Sequence, residues 1–376
     1  MTFRDIEALQ DGFTSIGIAG NDFAIYLDGE CVYRHMTGLR NVEEGLPVQR
    51  DTLYRMFSMT KPITCAAALQ LYEKGKFLLN DPVSDYLPEY ASLRVGDKTA
   101  ERPMQVQHLF EMTAGLDYEL HAPELDQLAR DTGMRYTTRE FARALAARPL
   151  SFESGTHWQY SLCHDVLGAL IEVWSGVTFG EYLAKDLFEP LGMKSAYFHT
   201  GHEDESRLCR RYGLHDGAFR RADEVNEYQL SPLFESGGAG LTMTLDDYAR
   251  FACAMTNRGL SKDGVRILAG RTVDLMRTNR LHEVAYNDMF RSNPGREGYG
   301  WGLGVRTLVD RAASGSPSLP GEFGWGGAWG TYVLMDPEAR VTLVYAEQGE
   351  DPKSAYIQRR LRNAAYAALE HEGLLK

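Results

Sequence analysis

Ser58 and Lys61 stand three residues apart in Phe57-Ser58-Met59-Thr60-Lys61-Pro62, and residues at that spacing share one face of a helix. Pro62 lacks an N–H and is tolerated in a first helical turn, so the stretch predicts a helix that starts close to Ser58. The hydroxyl would then lie at the positive end of the helix dipole with an amine beside it. That pairing suits nucleophilic chemistry, because a serine hydroxyl attacks poorly until an adjacent base takes its proton.

Two further segments could complete such a site. In Trp158-Gln159-Tyr160-Ser161-Leu162-Cys163-His164-Asp165, Ser161 is the expected N-cap, Asp165 falls in the first turn, and Leu162, Val166, Leu167, Leu170 and Ile171 form the buried stripe. Tyr160 would stand just outside that helix, where a nearby ammonium stabilises phenolate and lets the phenol accept the serine proton. A half-buried structural aromatic is the plainer reading of the same residue. In Gly324-Trp325-Gly326-Gly327-Ala328-Trp329-Gly330, glycines beside a strand allow close backbone approach to a ligand. Such an edge can offer an N–H to a developing oxyanion alongside the Ser58 N–H; its plainer reading is a Gly-rich hairpin packed with aromatics.

The elements that must position these groups follow from periodicity. Phe3, Ile6, Leu9 and Phe13 predict an amphipathic helix over 3–15. Phe23–Leu27, Asp28-Gly29 and Cys31–Tyr33 read as a β-hairpin with a type I′ turn. Thr52–Phe57 reads as a short strand delivering the chain to Ser58, and the helix beyond, apolar on all sides through Ile63, Ala66, Ala67, Leu69 and Leu71, should be buried and stop at Gly75. From Leu79 to about Gly298 the texture is loops and helices, the latter at 105–113, 138–147, 161–174, 179–188, 245–258 and 270–277. Strand patterns return at 302–308, 331–335 and 341–345, with a turn at Asp336–Ala339, and a last helix is expected over 354–371. The fold expected is α/β of the α+β type: a discontinuous α/β domain from residues 1–80 and 299–376, a mainly helical domain from 81–298, and the active site between them.

The three motifs, in this order and at these separations, resemble the serine β-lactamase and penicillin-binding-protein superfamily, in particular class C β-lactamases, D-alanyl-D-alanine carboxypeptidases and family VIII carboxylesterases. Leu109-Phe110-Glu111-Met112-Thr113-Ala114-Gly115-Leu116 and Ser236–Thr244 look like that family too. The resemblance implies an antiparallel sheet flanked by N- and C-terminal helices beside a mainly helical lobe. It implies acylation of Ser58, proton exchange with Lys61 and Tyr160, an oxyanion hole from the Ser58 and Ala328 N–H groups, and no cofactor. Two departures bear on substrate. Leu162 stands where lactamases and peptidases usually carry Asn, and Trp325 stands where Lys or His often opens the third motif, as in many family VIII esterases. Polar substrate groups would lose partners there, at about 1–3 kcal/mol each, so ester or simple amide hydrolysis ranks above β-lactam hydrolysis. Trp325, Gly326, Gly327, Leu162, His164 and Tyr118 are the expected substrate contacts.

Composition narrows the alternatives. The chain has 376 residues and a net charge of −12, which disfavours nucleic acid and anionic membrane as partners; a small ester or amide is the expected partner. Five cysteines without a C-x-x-C pair and ten histidines without ligand spacing suggest neither a disulfide framework nor a metal site. The first residues lack a basic segment followed by an apolar one, which reads as cytoplasmic. No serine is flanked as G-x-S-x-G, and His164 and Asp165, adjacent on a helix, would point in different directions, which argues against a Ser-His-Asp triad. The reading is a serine hydrolase acting through an acyl-enzyme, a carboxylesterase first, with a D-amino-acid amidase or peptidase, or a weak β-lactamase, as the alternative. A non-hydrolysing penicillin-binding or sensor protein is the alternative of another class. The oligomeric state has no signature in the sequence.

Overall fold

The computed structural model describes residues 1–199, 202–222, 230–292, 295–350 and 354–375. Its main sheet has eight antiparallel strands in the spatial order Tyr299–Trp301, Arg306–Leu308, Phe323–Gly326, Tyr332–Asp336, Val341–Glu347, Gly20–Leu27, Glu30–Asn41 and Leu46–Pro47. The two ends of the chain therefore meet in one sheet, with Phe23 opposite Tyr345 and Ile25 opposite Leu343. Alternation along the strands sorts side chains between two faces. Phe23, Ile25, Leu334, Leu343 and Tyr345 pack against Ile6 and Phe13 and against Ile357, Leu361, Ala365 and Leu369 of the helix Ser354–His371. Ala24, Val333, Met335, Val344 and Ala346 join the larger core on the opposite face, which contains the helix Thr60–Glu73.

Most expected elements form, with instructive shifts at their ends. The hairpin turn has Asp28 and Gly29 both at positive φ (54° and 79°), as a type I′ turn requires. The first helix is α-helical over Phe3–Asp11 and tightens to a 3-10 turn at Gly12–Ile16, where Gly12 weakens the α conformation. The strand before Ser58 is only Leu53–Arg55, and it belongs to a separate three-stranded sheet with Thr242–Thr244 and Ala196–Tyr197. Residues 302–308 do not make one strand. Tyr299–Trp301 and Arg306–Leu308 are two strands joined by a turn closed by Gly302 N–H to Val305 O at 2.8 Å. At the turn, Gly304 (φ 82°) lies so close to the Ser58 helix that a Cβ there would come within 2.1 Å of Cys65 Sγ, so the glycine that looked strand-compatible in sequence serves a close approach.

Between the chain ends the expected helices appear as Val106–Glu111, Thr138–Ala146, Cys163–Ser175, Phe179–Leu183 continued by a π turn to Phe188, Leu245–Thr256 and Gly270–Met276. Two more, Pro123–Thr132 and Glu283–Ser292, lie in stretches the sequence reading left as loops. The first carried a readable signature: Pro at its first position, Glu124 and Asp126 in its first turn, Arg130 in its last and Gly133 at φ 58° beyond it. Cys163 rather than Leu162 opens the helix after Tyr160, and Ser161 caps nothing: its hydroxyl lies 3.0 Å from Cys163 Sγ and 3.5 Å from Met112 Sδ.

Packing the Cys163–Ser175 helix against the Ser58 helix buries His164 completely, beside Cys65 Sγ (3.6 Å from Nε2) and Phe110 O (3.5 Å). Burial, and then the charge of Lys61, drive its imidazole down to about 3, so the folded protein keeps it neutral while an unfolded chain takes up a proton near 6.5. A base depressed in this way withdraws stability as pH falls from about 6.5 toward about 3. His164→Gln should therefore flatten the decline of the thermal midpoint over that window relative to wild type; parallel curves for the two proteins would contradict this account of His164.

Candidate active site

Backbone strain marks the turn that carries Ser58. After Arg55, Met56 turns to a helical conformation (φ −76°, ψ −20°) and Phe57 adopts φ 46°, a left-handed conformation in a bulky residue that costs about 1–2 kcal/mol. Ser58 follows in a 3-10 turn, Phe57–Met59, that leads into the α-helix at Thr60. The Met56 carbonyl anchors the corner by accepting from Met59 N–H and from Thr331 Oγ1, both at 3.0 Å. Thr331 O accepts in turn from Gly327 N–H at 2.8 Å. A Cβ on Gly327 would lie 2.1 Å from Thr331 Oγ1 and 2.3 Å from Met56 O, so only glycine lets the third motif run this close to the Ser58 turn. Ala328 then opens a short 3-10 turn, and an N–H at such a start has no partner within its own turn.

Lys61 has no exposed surface. Its Nζ lies 3.1 Å from Ser58 Oγ, 2.7 Å from Gly238 O and 3.4 Å from Tyr118 Oη, one neighbour for each ammonium N–H. It also sits over two aromatic rings, 4.6 Å from the Tyr160 centroid and 5.3 Å from that of Tyr118, a favourable place for a cation. The two tyrosines stack with centroids 5.4 Å apart and planes within 5°. Trp325 Nε1 donates to Tyr160 Oη at 3.0 Å, which steadies the ring and stabilises negative charge that gathers on the phenol oxygen.

Ser58, Lys61, Tyr160, Tyr118, Trp325 and Gly327 thus converge, while two expected substrate contacts do not belong among them. His164 is sealed in the interior, and Leu162 is 2% exposed, its N–H donating to Asp117 O at 3.0 Å to tie the Tyr160 segment to the one carrying Tyr118. Trp325 is also nearly buried, at 3% exposure, with its only polar atom committed to Tyr160. Gly326, half-buried at the end of its strand, pairs with Tyr332. Asn293 and Pro294, just ahead of Arg296 in sequence, lie outside the described residues.

The reading from sequence missed Asp165 as part of the site. Its Oδ1 accepts from Ser236 Oγ at 2.6 Å and Gly238 N–H at 3.2 Å, and the same Gly238 presents its carbonyl to Lys61. Burial pushes the Asp165 carboxyl up, against the opposing pull of Ser236 and Lys61. Only its position in the first helical turn was visible in sequence, because the partner segment is 71 residues away.

These groups set an amine beside the Ser58 hydroxyl and a phenol ring against that amine, an arrangement suited to moving a proton off Ser58. Comparison with known proteins agrees with that chemistry. A family model described as Beta-lactamase matches residues 5–367. Esterase EstB of Burkholderia gladioli is 31% identical over 367 residues, covering 90% of this chain and 88% of its own. Lovastatin esterase of Penicillium rubens is 29% identical, covering 75% and 77%. The solved structure of EstCE1, described as a hydrolase with promiscuous acyltransferase activity, superposes with a TM-score of 0.82 at 26% identity over 97% of both chains. The spacing of the three motifs, the sheet shared by both chain ends and a matched span of nearly the whole sequence lead to one assignment: the chain belongs to the beta-lactamase family.

Proposed function

We propose that the protein is a serine hydrolase that forms an acyl-enzyme on Ser58 and acts as a carboxylesterase on small acyl esters. The observation that carries this reading is the buried Lys61 amine 3.1 Å from Ser58 Oγ with the Tyr160 ring against it. Tyr160, standing as a phenolate beside the Lys61 ammonium, takes the proton as Ser58 Oγ attacks the ester carbonyl. The Ser58 and Ala328 N–H groups stabilise the oxyanion. Collapse of the tetrahedral intermediate breaks the ester C–O bond, and the proton passes to the departing alkoxide. Water, activated by the same phenolate, then releases the acid and restores Ser58; an alcohol in place of water gives acyl transfer, and relatives carry both esterase and acyltransferase names.

Ester rather than β-lactam substrates are favoured by what Leu162 and Trp325 lack. Neither presents a free polar atom to a substrate amide, since Leu162 is buried and the Trp325 indole N–H is on Tyr160. No helix among the described residues is long and apolar enough to cross a membrane.

Ser58→Ala should abolish hydrolysis of p-nitrophenyl acetate and butyrate and labelling by a fluorophosphonate; full activity in that variant would overturn the assignment. Tyr160→Phe should lower kcat by about a hundredfold or more, and wild-type rates would remove the phenol from the proton path. Asp165→Asn, which weakens the hold on Gly238 and so on Lys61, should lower kcat about tenfold with KM little changed. A rise in KM alone would instead place Asp165 in substrate binding.

A further inference from the structure

Arg296 stands at the rim of this site without an acid. Its guanidinium carbon lies 4.2 Å from the centre of the Trp325 ring, and the Trp325 N–H holds Tyr160. Among the described residues that guanidinium has no ion pair or hydrogen bond, although the side chain is only half-exposed. The nearby acids are engaged elsewhere. Glu322 is buried against Arg306 at 2.8 Å and accepts from Tyr299 Oη at 2.8 Å. Glu297, the next residue, accepts from Gly295 N–H at 3.2 Å. Desolvation, and then repulsion by Arg306, draw the Arg296 guanidinium down to about 10, where it is still charged at neutral pH.

An arginine that is partly desolvated, stacked on an aromatic face and left without a counter-charge is an arrangement that a carboxylate completes. We propose that Arg296 makes this a site for anionic esters, in which a carboxylate elsewhere on the substrate pairs with Arg296 while the ester carbonyl lies at Ser58. The third motif opens with an uncharged Trp325, and the cation comes instead from a different segment laid across that tryptophan. The inference deepens the esterase reading and rests on it for the reaction alone; the charge preference rests on Arg296.

The carboxylate could belong to the acyl group or to the leaving alcohol, and two pairs of esters separate these sources. Monobutyl adipate carries it on the acyl side and 3-acetoxybenzoate on the alcohol side, each compared with a twin whose carboxylate is a primary carboxamide. The expected result is a preference of about ten- to a hundredfold in kcat/KM for the anionic member of at least one pair. The preference should shrink with added salt, fall close to unity in Arg296→Met and survive in part in Arg296→Lys. Binding of the same compounds to Ser58→Ala, measured by calorimetry, should show the same preference without turnover, and Arg296→Met in that background should remove it. No preference in either pair, by rate and by binding, or a preference that persists in Arg296→Met, overturns the proposal. A preference in binding with no hydrolysis by wild type would support the anion site and defeat the esterase reading.

Discussion

A lysine ammonium with no exposed surface has to find acceptors inside the protein, because an unpaired buried charge is among the costliest things a fold can hold. Lys61 finds them in Ser58, the Gly238 carbonyl and the Tyr118 hydroxyl, and it lies against the faces of Tyr118 and Tyr160. These groups come from four separate stretches of chain. Satisfying one amine therefore brings the nucleophile, the phenols and the Ser236–Gly240 segment to one point, and the geometry needed for chemistry is the geometry needed to bury the charge.

The backbone around that point is held as firmly as the side chains. Phe57 in its left-handed conformation persists because Met56 on one side and the Ser58 helix on the other are both tied down. Met56 N–H donates to Leu241 O at 2.9 Å, and its carbonyl accepts from two donors. Strain of this kind survives only where the surroundings over-determine it. It turns the Ser58 hydroxyl away from the strand that leads into it and toward the amine. The same network joins the Gly327 strand end to the Ser58 corner, so the two proposed oxyanion donors are positioned by shared hydrogen bonds rather than by chance proximity.

Buried aromatic packing sets the other wall. Trp301 meets Trp325 edge-on at 4.6 Å and donates from its indole N–H to Phe110 O at 2.9 Å, while Trp325 holds Tyr160. Large flat side chains with a single donor each suit this task, since they fill volume and still fix one direction. Polarity along this wall therefore comes from few atoms, each with a fixed direction.

How much of this was legible in the sequence differs by kind. The placing of Ser58 and Lys61 together at a helix start could be read from local spacing, since an i, i+3 relation is a property of a few neighbouring residues, whereas Tyr160 joined them only through the order of the three motifs and the family resemblance. The sheet built from both chain ends could be read from alternation in 23–27 and 341–345. What alternation could not distinguish was a strand from a turn at Gly302–Gly304, because the reason for glycine there is Cys65 on another element. Asp165 looked like an ordinary first-turn acid, and its value lies in Ser236 and Gly238. His164 looked like a polar residue near a motif, and helix packing sealed it in the core. Arg296 had no local signature at all. Residue type and short-range spacing determined the candidate groups and most of the elements that carry them. Only the tertiary structure decided which groups share a counter-charge, a donor or a wall, because burial and electrostatic pairing depend on distance in space and not on separation along the chain.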